Sequence, residues 1–176
     1  MEQVKNYILT CDTLALLPYF NKYGECWTIV IEKYEKYLVK KKPKDLLAES
    51  CNYYGVSLNG IIEAAKKILP RQRMLPVCIP ALDLCFFPTK SMEHLDCQWI
   101  AHSAIRHVVS KGKHSTIVLI NHEKVVVEKH MSIIYNKMKS ASHINDTYKR
   151  RINEGKEYHS FILYEKPSCY DCKRKS

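Results

Sequence analysis

Glycine is scarce in this sequence, with five residues among 176. Neither a GxGxxG fingerprint nor a GxxxxGK[ST] loop occurs, so the backbone cradles that hold dinucleotides and nucleoside triphosphates are not indicated. The patterns GxSxG, HExxH and HxE with a following CxxC are also missing, which removes the usual signatures of hydrolases, metalloproteases and zinc deaminases. We therefore expect a protein that is not an enzyme and has no cofactor.

Long apolar runs are missing as well. The first twenty residues contain two short apolar stretches, which are interrupted by Cys11, Asp12 and Thr13 and then by Pro18. Neither stretch is long enough for a transmembrane helix or the core of a signal peptide. We therefore predict a cytoplasmic protein without a membrane partner, whose eight cysteines are reduced thiols that mostly pack as small apolar residues.

Positive charge is the strongest global signal. The chain has 28 lysines and arginines against 18 acidic residues, which gives a formal net charge of +10. Such an excess concentrates polyanions at the surface, so nucleic acid is the leading partner. A solvated face is the alternative for each cluster. The candidate DNA-binding residues are Lys41, Lys42, Lys44, Lys66, Lys67, Arg71, Arg73, Lys111, Lys113, Lys149, Arg150 and Arg151.

Local patterns predict an α+β fold, mainly antiparallel sheet with a few helices and a C-terminal arm. Helices are expected from Pro43 to about residue 54, over 58–69, and from an N-cap at Ser132 to about Ser140. The Val125–Val127 run is typical of a strand buried on both faces. Strands are predicted over 7–10, 13–18, 26–32, 36–40, 75–79, 82–87, 99–109, 116–120 and 124–128. Residues 1–147 would form the DNA-binding domain and 148–176 a basic arm and tail.

Two cysteine-containing segments raise the question of a metal or redox site. Cys85 and Cys97 are twelve residues apart, which does not match the paired half-sites of structural zinc, so no metal is predicted there. Cys169 and Cys172 form the one CxxC pair. A zinc- or thiol-dependent protein that uses this pair together with Cys97 remains an alternative function.

Several short segments resemble one known family. Phe86-Phe87-Pro88-Thr89, followed by the segment Cys97–His102, is similar to the FFPT…WI.H core of the ComK family of competence transcription factors. Residues 49–55 (ESCNYYG) resemble that family's R-S-C-x-F-[FY]-G segment, with Gly60 at its following glycine. The hairpin around Asn121 and residues 132–136 fit its later part, so the resemblance covers roughly residues 7 to 165.

The resemblance implies a DNA-binding activator of DNA-uptake (competence) genes. Members of the family bind A/T-rich boxes of double-stranded DNA mainly through the minor groove, as homodimers that assemble to tetramers, and act on RNA polymerase. It also implies turnover by a Clp protease through an adaptor, which would grip a C-terminal segment here formed by Phe161, Ile162, Leu163 and Tyr164.

The sequence departs from the family at three places. Ile61 and Ile62 stand where the family has a basic pair, Glu165 replaces a proline, and the tail is short. Lys66 and Lys67, one helical turn later, are the candidates to replace the missing pair. A ComK-like regulatory module that has lost activation is therefore a second alternative.

Overall fold

The computed structural model describes the backbone of residues 1–164 and the side chains of residues 1–157. Within them lie two sheets and three helices, which confirms the α+β class. The helices are α1 (Pro43–Tyr53), α2 (Leu58–Ile68) and α3 (Met131–Tyr164). The larger sheet contains β1 (Glu2–Val4), β2 (Thr13–Phe20), β3 (Cys26–Glu32), β4 (Lys36–Val39), β5 (Val77–Ile79), β6 (Leu84–Pro88) and β7 (Trp99–Ala101). The small sheet contains β8 (Ile105–Lys111), β9 (His114–Leu119) and β10 (Lys124–Val127).

The larger sheet has the strand order β1-β4-β3-β2-β7-β6-β5, and the small sheet has the order β10-β9-β8. The pairing of β1 with β4 is parallel, and the other strand pairs in the described region are antiparallel. The predicted strands over 13–18 and 26–32 and the predicted helix over 58–69 are confirmed to within two residues of their bounds.

The centre of the core lies where β6 and β7 pair. Phe86, Phe87, Trp99 and Ile100 are completely buried, and Phe87 stands opposite Ile100. Side chains pointing to both faces of these strands are therefore covered, which explains their nearly continuous apolar sequence. The segments that carry the family resemblance thus build the core and leave few groups free for chemistry.

Residues 7–10 do not form the predicted strand. The backbone N–H of Leu9 donates to Ser50 Oγ at 3.1 Å, and the Leu9 carbonyl accepts from Tyr54 Oη at 2.9 Å. Ser50 in turn donates to the Leu46 carbonyl within α1. Side chains around the end of α1 therefore satisfy the polar backbone groups of Leu9, and no neighbouring strand is needed.

The predicted strand over 99–109 is also wrong. A short 3₁₀ turn, His102–Ala104, divides it into β7 of the larger sheet and β8 of the small sheet. The Ala104 carbonyl accepts from the Ile120 N–H at 2.9 Å, which fixes this joint beside the end of β9. One extended segment of sequence therefore serves two sheets.

The helix predicted to begin at Ser132 and end near Ser140 is much longer. It starts at Met131, and His130 Nδ1 accepts from the Ser132 N–H at 3.3 Å, so His130 stands at the cap. Glycine and proline are both missing until Gly155, so nothing in the sequence stops the helix earlier. The helix passes through residues 147 and 148 without a break, and residues 149–157 are exposed. No helix of the described region is long and apolar enough to cross a membrane.

The valines of β10 are not buried on both faces. Val125 and Val127 are 2% exposed, whereas Val126 between them is 61% exposed. Only one face of the small sheet is therefore packed against the rest of the protein, and the other faces solvent. The prediction of a doubly buried strand was wrong because a run of three β-branched residues cannot show which face is covered.

Candidate nucleic-acid interface

Two of the three basic residues near the start of α1 are paired with acidic neighbours. Lys41 Nζ contacts the carboxylate of Glu49, and Lys44 Nζ lies 2.7 Å from Glu93 Oε1. Lys42 forms no ion pair with any described residue and lies on the rim of a cavity of about 230 Å³. Pairs this exposed contribute little to stability, but each acidic partner cancels most of the charge that a phosphate would meet.

The basic residues of α3 are partly neutralised in the same way. Lys149 Nζ lies 2.8 Å from Asp83 Oδ2, and this hydrogen bond holds the pKa of Asp83 below its ordinary value. Arg150 Nε lies 3.8 Å from Glu154 Oε1 one helical turn later. Arg151 has no ion pair within the described residues and borders an apolar groove between α2 and α3.

Four predicted residues form a surface that we call the α2-end patch. Lys66 and Lys67 occupy the last turn of α2, and Arg71 and Arg73 follow in the loop after Pro70. All four are exposed, and none of them forms an ion pair within residues 1–157. The helix C-terminus itself favours cations at the two lysines, but it does not explain the two arginines beyond it.

Lys111 and Lys113 lie at the tip of the hairpin formed by β8 and β9. Lys111 stands opposite His114, so Gly112 and Lys113 are the two central residues of the turn. Gly112 has φ +65°, a conformation that glycine adopts without strain and that two-residue hairpin turns favour. Both lysines are exposed and have no acidic partner among the described side chains. The structure therefore leaves two well-defined cationic surfaces, the α2-end patch and this hairpin tip.

Two predictions concern the cysteines: that all of them are reduced, and that Cys169 and Cys172 could serve a zinc or thiol function. Cys78 and Cys85 face each other across β5 and β6 and form a disulfide, so the expectation that all thiols are reduced is wrong for this pair. The disulfide forms because the pairing of β5 with β6 places the two cysteines directly opposite each other, and the sequence alone does not reveal this pairing. Cys169 and Cys172, the basis of the zinc or thiol alternative, lie outside the described residues.

Among the described residues, Cys97 and His102 have polar partners in the backbone. Burial raises the pKa of the Cys97 thiol, which donates to the Lys90 carbonyl at 3.4 Å. His102 Nδ1 lies 3.2 Å from the Cys85 carbonyl and thus supports the backbone. No group of three or more metal-ligating side chains occurs in the part of the chain that the structure describes.

One buried cation was missed by the sequence reasoning. Lys137 of α3 is 5% exposed, and its Nζ lies 3.7 Å from Met74 Sδ. Burial lowers the pKa of this lysine to about 8. A signal was present, since Lys137 lies three residues after Ile134 and four before Ala141, on the buried side of the helix.

The predicted adaptor segment forms the last turn of α3. The backbone of Phe161, Ile162, Leu163 and Tyr164 is helical, and the side chains of these residues lie outside the described ones. Their availability to a partner therefore stays a prediction.

Comparison with known proteins supports the resemblance seen in the sequence. The competence transcription factor of Bacillus subtilis (strain 168) is 25% identical over 134 residues, which cover 76% of this chain and 68% of that protein. No solved structure gives a significant match. A family model described as ComK protein matches residues 4–153. Because that match spans most of the chain, from the first strand into the second half of α3, the protein belongs to the ComK family.

Proposed function

We propose that this chain is a competence transcription factor, not an enzyme, that binds double-stranded A/T-rich DNA. The observation that carries the proposal is the pair of unpaired cationic surfaces, the α2-end patch and the hairpin tip, in a member of the ComK family. Neutralising phosphates with lysine and arginine releases bound counterions, and that release drives binding. Because Lys41, Lys44, Lys149 and Arg150 have acidic neighbours, the proposal gives these residues a smaller role in DNA binding.

A/T selectivity fits cations that lie on turns rather than on helices. Lys113 lies in the two-residue turn of the hairpin tip, and Lys111 stands directly beside it. The narrow minor groove of A/T-rich DNA has the most negative potential along the duplex and attracts such side chains. Reading of this kind needs few base contacts, because the minor groove mainly distinguishes A·T from G·C.

The proposal extends to the partners. Two spaced A/T boxes would be bound by a homodimer or tetramer, and the complex would act on RNA polymerase at competence promoters. The segment 161–164 would bind the adaptor of a Clp protease, and residues 148–176 would serve as the basic arm. Support for these partners comes from the resemblance to the family and not from a contact within this chain.

A binding titration tests the proposal. Fluorescence anisotropy with a duplex carrying two spaced A/T boxes and with a G/C duplex of equal length, repeated at several salt concentrations, gives both selectivity and the salt slope. We expect tighter binding to the A/T duplex, and competition by a small minor-groove-binding drug. Equal affinity for the two duplexes would refute sequence-selective binding.

A charge-reversal variant tests the α2-end patch. Lys66→Glu, Lys67→Glu, Arg71→Glu and Arg73→Glu together remove four cations, and each lost phosphate contact reduces the salt slope by about 0.9. A matched control carries four lysine-to-glutamate changes at exposed residues elsewhere, namely Lys5, Lys22, Lys33 and Lys40. We expect the patch variant to lose at least tenfold more affinity than the control. Equal losses would show that net charge, not this patch, determines binding.

A further inference from the structure

One face of the small sheet carries exposed residues on its two outer strands, β8 and β10. Backbone pairing places Val109 beside Thr116 and Thr116 beside Val126, while His107, Val118 and Lys124 form the next row. Since side chains alternate along a strand, these rows point away from the buried row made by Val108, Ile117 and Val125. We call the exposed side the outer face, and it consists of His107, Val109, Lys111, His114, Thr116, Val118, Lys124 and Val126.

The outer face combines positive charge with exposed apolar groups. Lys111 and Lys124 lie at opposite ends of it, and none of its positions is acidic. Val109 and Val126 are 42% and 61% exposed, whereas Thr116 between them is 8% exposed. Val109 and Val126 therefore share a row that lies between the row of Lys124 and the row of Lys111.

The two acidic residues that flank β10 are already paired elsewhere. Glu128 follows β10 and contacts Lys90 Nζ at 3.1 Å, and Glu123 precedes β10 and lies 2.7 Å from Lys36 Nζ. Neither carboxylate is therefore free to neutralise the lysines of the outer face. The charge on this face can be neutralised by an external polyanion.

The shape of the hairpin limits what it can enter. Its tip is a two-residue turn formed by Gly112 and Lys113, and the strands beside it are joined by regular antiparallel pairs down to His107. This tip therefore carries one exposed lysine in the turn and another directly beside it. A minor groove about 6 Å wide is too narrow for a helix but takes cationic side chains, and proteins that bind it also place apolar side chains against its base steps.

We infer that the outer face of the small sheet reads the DNA: the hairpin tip enters the minor groove with Lys111 and Lys113, and Val109 and Val126 contact the deoxyribose rings beside it. This inference rests on the proposed function and deepens it by giving each of the two cationic surfaces a separate role in DNA binding. The α2-end patch holds phosphates and supplies affinity for any duplex. The outer face supplies the preference for A/T-rich boxes, because its contacts depend on groove width.

Three variants of the full chain test this division. The first is Lys111→Gln with Lys113→Gln, and the second is Val109→Thr with Val126→Thr, which keeps β-branching and removes apolar contact. The matched control is Lys22→Gln with Lys33→Gln, two exposed lysines in turns of the larger sheet. Circular dichroism and thermal unfolding establish that each variant is folded before affinities for the A/T-box and G/C duplexes are compared.

The ratio of the two affinities is the decisive quantity. We expect the lysine variant to bind the A/T duplex roughly tenfold more weakly and its salt slope to decrease by about two. The ratio of its A/T affinity to its G/C affinity should fall toward one. The valine variant should lower the ratio with an unchanged salt slope, and the control should change neither quantity. An α2-end patch variant should lower both affinities and keep the ratio.

The results separate this inference from the proposed function. If the natural chain prefers A/T boxes and both outer-face variants keep that preference, the inference is wrong and the proposed function stands. If the natural chain shows no preference, the proposed function is refuted and the inference with it. Equal losses from the lysine variant and the control would likewise overturn the inference, since general charge would then explain the effect.

Discussion

Replacing Lys137 by methionine should stabilise the protein. Lys137 is 5% exposed, no acidic residue forms an ion pair with it in the described structure, and its Nζ has the sulfur of Met74 as hydrogen-bond partner. Burial lowers its pKa; the nearby Cys97 opposes this effect, and a smaller repulsion by Lys129 adds to it. An ammonium group kept in such surroundings costs free energy. Methionine has a similar length, no charge and a flexible stem that fits the same space.

The size of the effect follows from the pKa. A change from the ordinary value of 10.5 to about 8 corresponds to roughly 3 kcal/mol of destabilisation when the amine is charged in both states. Between pH 8 and 10.5 the unfolded chain binds more protons than the folded protein, so stability rises with pH in this window. Below pH 8 the full cost is present. The Lys137→Met variant should therefore gain roughly 2–3 kcal/mol at pH 7 and little above pH 10.5.

Urea unfolding followed by tryptophan fluorescence measures this gain. The control is Lys139→Met, which changes an exposed lysine two residues further along α3 and should alter stability by less than about 0.5 kcal/mol. Both variants are compared with the natural chain at pH 7 and pH 10.5. A loss of stability in Lys137→Met at pH 7, or an equal gain at both pH values, would refute the reasoning.

Two further predictions concern the core. Ser50→Ala leaves the buried N–H of Leu9 without an acceptor, so the free energy of unfolding should fall by roughly 1–3 kcal/mol. The control Ser142→Ala on α3 should change it by less than about 0.5 kcal/mol. Equal effects of the two variants in urea titrations would contradict the role of Ser50. The disulfide joins Cys78 and Cys85, which are seven positions apart in the sequence, so its reduction by dithiothreitol should lower the free energy of unfolding by about 2 kcal/mol. A variant with both cysteines replaced by alanine should not respond to dithiothreitol. If dithiothreitol leaves the urea midpoint of the natural chain unchanged, the disulfide does not contribute to stability.

Local chemistry made part of the fold predictable. The helix at Pro43 begins with a residue that fits the first turn, and Gly55, with φ +79°, stands just past its end. The strand Cys26–Glu32 was predicted with its observed bounds because turn residues flank a β-rich run. In both cases the information lies within a few residues of the element itself.

The parts of the fold and of the candidate site that could not be predicted depend on contacts between residues far apart in the sequence. The backbone of Leu9 is hydrogen-bonded to Ser50 and Tyr54, which lie more than forty residues away in the sequence. Residues 7–10 considered alone therefore predict a strand. The same applies to charge, because Lys44 is paired with Glu93 across the fold. Sequence clusters of lysine show where cations are concentrated along the chain, but only the folded structure shows which of them are already neutralised.

The joint between the two sheets places a limit on chain length. Three residues, His102–Ala104, connect β7 to β8, and the hydrogen bond from Ile120 to Ala104 holds them. One inserted residue would rotate every side chain of β8 to the opposite side, so that Val108 would meet solvent and Val109 the core. Residues 93–96, in the connection between β6 and β7, are exposed and belong to no strand, so a change of length there leaves the face pattern of both strands unchanged. Relatives of different length should therefore gain or lose residues there, and the joint should keep three.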